Sequence, residues 1–244
     1  MSQTKRLRMF AGPNGSGKST IKDVVSADYL GHYLNPDDIE RQLKQEPVFD
    51  LSEYQSPELD QSAVRSFFST HSLAIKANLS DVFYGLQVHG HVIDFGLIPI
   101  NSYVASILTD YLRSVCIESG QSFTFETVMS SPDKLAVLQR AKEAGFRIYL
   151  YYVATEDPAI NVERVRSRAA KGGHSVPTDK IIDRYYRSLD YLFDAIRLSD
   201  RAYVFDNSRE SRIWVAEITG GKKVEIVYPY IPAWFDNYVL EKLY

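Results

Sequence analysis

The chain has 244 residues, of which 45% are hydrophobic and 13% aromatic, with 28 basic against 31 acidic side chains and one cysteine. That composition excludes a disordered chain and suffices for a sizeable core, the net charge of −3 argues against a long nucleic-acid footprint, and the lone Cys116 excludes an internal disulfide and predicts a reducing compartment. Met1 to Arg8 is polar and basic and no window approaches about 18 uninterrupted apolar residues, so no signal peptide or membrane span is expected and the cytoplasm is the expected location.

In chain order, the apolar run Leu7 to Ala11 predicts a buried strand. Gly12-Pro13-Asn14-Gly15-Ser16-Gly17-Lys18-Ser19 then matches the phosphate loop GxxxxGK[ST] at every fixed position, and Lys18 to Ala27 predicts a helix leading out. Three glycines let the backbone curl its N–H groups around an anion, and a helix start adds unpaired donors. Lys18, expected to face solvent in the loop, reaches the β/γ-phosphates, the Ser19 hydroxyl is the expected Mg²⁺ ligand, and Thr20 closes the ATP-binding set. The glycine turn alone is the bland alternative; the flanking strand and helix weigh against it.

Tyr33-Leu34 predicts a short strand, ending in Asn35-Pro36-Asp37-Asp38, where Asn35 can cap and Pro36 can open a helix to about Gln45. A broken helical stretch is expected from Ser56-Pro57 to about Phe83, with His91 to Phe95 as a possible strand in an otherwise unassigned segment Gly85 to Asn101. From Tyr103 to Cys116 the apolar residues fall on one helical stripe, which makes Cys116 a core residue and not a nucleophile. Phe123 to Phe125 is a strand, Ser131-Pro132 opens a helix that Gly145 stops, and Arg147 to Val153 is the most continuous strand in the chain. Asp157-Pro158 opens a basic helix ending at Gly172-Gly173, Thr178 caps a long helix to about Leu198, and Ala202 to Phe205 is a strand. Arg212 to Ile218 and Lys223 to Val227, joined at Gly220-Gly221, read as an antiparallel hairpin. The fold class is therefore α/β, a P-loop kinase-like parallel sheet flanked by helices with a C-terminal antiparallel hairpin, as one domain over residues 1–244 with a helical insertion at about 46–101 and a lid at about 158–187.

In such a sheet ligands gather at the carboxyl ends of the strands. That edge collects Asn35 and Asp37, Glu126 and Thr127, Thr155 to Asp157, and Asp206 and Asn207. Each has an ordinary alternative: Asp37 and Asp38 suit the first turn of any helix, Glu126 suits a salt bridge or a cap, and Asp206-Asn207 suits a turn. Arg164 to Arg187 holds seven basic residues, Arg164, Arg166, Arg168, Lys171, Lys180, Arg184 and Arg187, which form either a solvated face or a lid hinged at Gly172-Gly173-His174 that brings arginines over a triphosphate. Arg164 and Arg168 share a helical face that Arg166 does not.

The segments AGPNGSGKST, LNPDDI, FETVMS, NVERVRSRAAKGGHSVP and KIIDRYYRSLDYL together resemble the zeta toxin family of P-loop kinases, in order and with similar spacing, from about Arg6 to Asn207. The resemblance implies a nucleotide- or shikimate-kinase-like core, ATP and Mg²⁺ as cofactors, and phosphorylation of the sugar 3′-hydroxyl of UDP-N-acetylglucosamine, with an antitoxin as a possible protein partner. It implies Asp37 as catalytic base, Glu126-Thr127 and the Asn35 segment beside the acceptor, and Arg168 and Arg184 as phosphate-binding lid arginines with Arg164 close behind. The segment Glu46 to Asn101 is longer and more aromatic than in the minimal toxins, and the hairpin and Pro229 to Tyr244 are additions. Three rivals are weighed. A motor or switch ATPase lacks support, since the chain has no Asp-Glu pair after an apolar strand and no LSGGQ-like signature, and a polynucleotide kinase is disfavoured by net acidity. A kinase-dead relic that only binds nucleotide is separated by a turnover assay.

Overall fold

The computed structural model describes residues 4–172 and 176–243. Its strands and α-helices are, in order, β1 (Arg6–Ala11), β2 (His32–Leu34), α1 (Pro36–Gln45), β3 (Val48–Asp50), α2 (Gln61–Thr70), α3 (Ser72–Lys76), β4 (Gln87–His89), β5 (Val92–Asp94), α4 (Ser102–Ser119), β6 (Phe123–Thr127), α5 (Asp133–Glu143), β7 (Arg147–Ala154), α6 (Pro158–Ala170), α7 (Thr178–Asp190), α8 (Leu192–Leu198), β8 (Arg201–Asp206), β9 (Ile213–Thr219), β10 (Lys223–Ile226) and α9 (Ala233–Tyr238). The backbone divides into two units, one formed by Met1–Gly31 with Thr124–Tyr244 and the other by His32–Phe123. The residues marked in the sequence as an insertion, 46–101, lie inside the second unit.

In the first unit the strands run in the order β10-β9-β8-β7-β1-β6. β1 and β8 flank β7 in parallel, with Met9 opposite Leu150 and Leu150 opposite Ala202, while β9 and β10 are antiparallel additions at the edge. The α/β class with a C-terminal hairpin is what this unit shows. β1 and β7 are buried along nearly their whole length because a parallel strand covered on both faces has no solvent side. α5 and α8 pack on each other and on β7, and α6 packs on α7 through Val162, Val165 and Ile181. The hairpin turns through Gly220, Gly221 and Lys222, with both glycines at positive φ (61° and 69°), the left-handed backbone that a tight loop between twisted strands favours.

Three expectations for this unit are corrected. Lys18 to Ala27 is not an α-helix: Lys18–Val24 and Ala27–Tyr29 are separate 3₁₀ segments. Thr20, Ile21, Val24 and Val25 are β-branched, and together with Ser19 and Ser26 they make a poor α-helical run. Thr178 does not cap α7; it is the first helical residue, and its hydroxyl accepts from Arg166 Nη2 at 3.1 Å. The long helix it opens is interrupted at Tyr191 into α7 and α8. The hinge residues Gly173 and His174 lie outside the described residues.

In the second unit β3, β5 and β4 form a small antiparallel sheet in that order, with Phe49 and Val88 on either side of Ile93. The expected broken helix is α2, α3 and a 3₁₀ segment Asp81–Gly85, and Gln87 to Asp94 is a hairpin. Asn101 caps α4 by accepting from the N–H groups of Tyr103 and Val104, and Gly120 ends it at φ 73°. The rings of Phe67, Phe68, Phe83, Phe95 and Tyr111 interlock at centroid separations of 5.1–6.0 Å, which accounts for the aromatic richness of the segment as core. Cys116 is fully buried, and burial pushes its thiol up to about 12, so it is inert packing.

Candidate active site

The carboxyl ends of β1, β7 and β8 lie on one edge, since Ala11 pairs with Tyr152 and Ala154 with Asp206. The loop Gly12 to Ser19 leaves β1 at that edge. Gly12, Gly15 and Gly17 sit at φ 144°, 77° and 97°. A side chain at Gly12 would place its Cβ 2.0 Å from the Val153 carbonyl oxygen, and one at Gly17 would lie 2.4 Å from Asn207 Nδ2. The loop is thus pressed against its surroundings at both ends, and only glycine fits. Ser16 Oγ is buried among these groups and has no hydrogen-bond partner among the described residues.

Lys18 does not face solvent as expected. It is half-buried, and its Nζ donates to the carbonyls of Gly12 at 2.7 Å and Pro13 at 2.9 Å. Desolvation lowers its pKa to about 8; the Glu126 carboxylate opposes that shift and the Arg168 guanidinium adds to it. This brings Glu126 and Arg168, both read from sequence as site residues, into the electrostatic neighbourhood of the loop lysine. Thr127 follows Glu126 at the end of β6; its carbonyl accepts from Gly12 N–H at 3.3 Å and its Oγ1 accepts from Met129 N–H at 2.9 Å.

The basic face of α6 sorts as helical spacing requires. Arg164 Nη1 donates to the Asn207 carbonyl at 2.8 Å, on the side of the loop, while Arg166 turns to Thr178 and Arg168 is exposed. Asp157 caps this helix, accepting from Ala159 N–H at 2.7 Å. Arg184, on α7, is half-buried. Ser19 and Thr20 are exposed at the first 3₁₀ turn, with Thr20 Oγ1 donating to the Gly17 carbonyl at 2.8 Å.

Two contributors, Asn161 and Arg212, escaped the sequence reading, and a third, Asn207, was a strand-end candidate there with a turn as its alternative. Asn161 Nδ2 donates to the Asn14 carbonyl at 2.6 Å, Asn207 Nδ2 donates to the Ser16 carbonyl at 2.8 Å, and Arg212 Nη1 donates to Thr20 Oγ1 at 2.9 Å. The two asparagines brace the loop from outside. A buried asparagine inside an otherwise good helix is the one local signal for Asn161, and the strand-end position already pointed at Asn207. Nothing near Arg212 in the sequence marks it.

In the second unit Asn35 accepts from Asp37 N–H at 2.9 Å, so its side-chain oxygen is committed to capping α1. Asp38 pairs with Arg41 at 3.0 Å, whereas the exposed Asp37 carboxylate has no hydrogen-bond or ion-pair partner among the described residues. Among the described residues no group of three His, Cys, Asp or Glu side chains suits a metal ion, and no helix is long and apolar enough to cross a membrane.

Because Lys18 carries its full charge only below about pH 8, ATP affinity is expected to fall as pH rises from about 7 to about 9, by up to roughly tenfold per unit above the lysine's own pKa. Bound phosphates favour the ammonium, so binding then requires proton uptake. Nucleotide titrations across that range check this, and a flat profile would remove Lys18 from the binding set.

Residues 102–219 match the zeta toxin family. An uncharacterised protein of Haemophilus influenzae is 22% identical over 185 residues, covering 72% of this chain and 89% of its own length. The fold is similar to AvrRxo1-ORF1:AvrRxo1-ORF2 crystal structures, one with sulphate ions (TM-score 0.51, 14% identity) and one with ATP (TM-score 0.52, 15% identity). Each alignment covers 93% of this chain, but the chain spans only 62% and 61% of those structures' length. At that identity the likeness shows a shared fold.

Proposed function

We propose that this protein, whose residues 102–219 match the zeta toxin family, is an ATP-dependent kinase that transfers the γ-phosphate to a hydroxyl of a UDP-activated sugar, such as UDP-N-acetylglucosamine. The observation that carries the reading is the braced loop, with its inward lysine and buried Ser16 hydroxyl, bordered by Glu126, Arg164 and Arg168. Gly12 to Thr20 hold the triphosphate through backbone N–H groups and Lys18. Ser19 fits a Mg²⁺ site of the kind in which one hydroxyl joins phosphate oxygens, and the ion supplies neutralisation of developing charge. Asp37, without a hydrogen-bond or ion-pair partner among the described residues, accepts the acceptor hydroxyl's proton as that oxygen bonds to the γ-phosphorus and the bond to the β-phosphate oxygen breaks. Arg164, Arg168 and Arg184 steady the charge on the transferring group, and Asn35, Glu126 and Thr127 orient the acceptor.

An AvrRxo1 neighbour crystallised with ATP agrees with ATP as donor, and its two-component naming agrees with a protein antitoxin as partner for this chain. The cytoplasm, where UDP-sugars are made, is the expected setting. Incubation with ATP and Mg²⁺ plus separate UDP-sugars, nucleosides and oligonucleotides, read by product mass, tests the reading. A phosphorylated UDP-sugar supports it; a phosphorylated oligonucleotide 5′ end would replace it with a polynucleotide kinase.

Arg168→Ala is expected to lower turnover more than it weakens ATP binding, since a lid arginine meets charge that appears in transfer. Equal turnover in parent and variant would return Arg168 to a solvated face.

A further inference from the structure

The tail beyond the zeta toxin match carries α9, and its Trp234 is 4% exposed. Trp234 Nε1 donates to Asp206 Oδ2 at 2.8 Å. Asp206, 3% exposed, also accepts from Ser208 N–H and Ser208 Oγ, each at 2.9 Å. Ser208 Oγ in turn accepts from Glu156 N–H at 2.8 Å, and the Glu156 carboxylate accepts from the hydroxyl of Tyr230 in the same tail. The residue between these two anchors is Asn207. Its N–H donates to the Ala154 carbonyl at 2.8 Å, its carbonyl accepts from Arg164, and its amide holds Ser16. An amide that must meet one carbonyl of a tight loop depends on the backbone that carries it, and that backbone is set by the turn whose carboxylate Trp234 completes.

We infer that Trp234 is a positioning residue for the triphosphate loop, acting through Asp206 and Asn207 on Ser16, so that the C-terminal segment tunes nucleotide affinity. The inference rests on the loop being a nucleotide site. A buried carboxylate deprived of a neutral donor relaxes toward other partners, and here such relaxation shifts Asn207 against Gly17, where no slack exists.

Trp234→Phe keeps an aromatic ring beside Tyr152 and Phe235 and removes the donor together with part of the indole volume. In the full chain, the dissociation constants for Mg²⁺·ATP and for Mg²⁺·tripolyphosphate, which meets the loop alone, are expected to rise together by about tenfold. In a double-mutant cycle with Asn207→Ala the two effects are expected to be strongly non-additive, because both act through the Ser16 contact. Should Trp234→Phe lose its cooperative melt, Ser208→Ala removes a second donor to the same carboxylate without touching α9, and the same rise is expected. A folded variant with parental affinity for both ligands, or an additive cycle, overturns the inference while leaving the kinase reading intact. A parent that binds neither ligand overturns both.

Discussion

Asp37→Asn is expected to lower phosphoryl transfer by roughly 10² to 10⁴ while leaving ATP affinity nearly unchanged. Asparagine keeps the size and most of the hydrogen bonding of aspartate but cannot take a proton. The capping bond that starts α1 runs from the backbone N–H of residue 37 to Asn35, so the substitution leaves it in place. Asp38 is tied to Arg41 and offers no replacement base at the adjacent position. The competing role, an acid favoured by the positive end of a helix, predicts a different outcome: a stability loss of at most about 1 kcal/mol and nearly normal transfer. Rate of product formation and a nucleotide titration on one variant separate the two roles.

Lys18→Ala is expected to lower turnover by roughly 10² to 10³, the usual loss when a preorganised donor to developing charge is removed. The fold should survive. Lys18 makes its hydrogen bonds to Gly12 and Pro13 within its own loop, and the partly desolvated ammonium already carries a burial penalty that the truncation relieves, so a net stability change within about 2 kcal/mol is expected. Thermal unfolding beside the transfer assay checks both halves. A variant as fast as the parent would mean that the loop serves some other ligand.

The loop after β1 was legible because its eight residues are contiguous and its glycines answer to a backbone requirement that no distant residue can replace, met at Gly12, Gly15 and Gly17. β7 was legible for a related reason: eight residues almost wholly apolar admit few placements in an α/β chain. The loop's exit was misread because a helix normally follows this motif, whereas Thr20, Ile21, Val24 and Val25 favour the tighter, shorter turns seen here. β3 and β4 have three residues each, too few to display a period, and are held by pairing with β5. Asn161 and Asn207 brace the loop across 147 and 191 residues of sequence, and no local pattern encodes a partner that far away. The chemistry of Asp37 and Asn35 divides on structure as well. Both stood at a strand end in the sequence, but Asn35 is consumed as a cap acceptor, whereas the Asp37 carboxylate has no partner among the described residues.

The central claim is that the nucleotide held at Gly12 to Thr20 is a phosphate donor to a hydroxyl other than water's. ATP labelled with heavy oxygen in its γ-phosphate, incubated with the protein, Mg²⁺ and UDP-N-acetylglucosamine, reports where that group goes. Label recovered as a phosphate ester on the sugar nucleotide, and lost from that product in Asp37→Asn, is the predicted result; label recovered only as inorganic phosphate, with the sugar nucleotide unchanged, would contradict it.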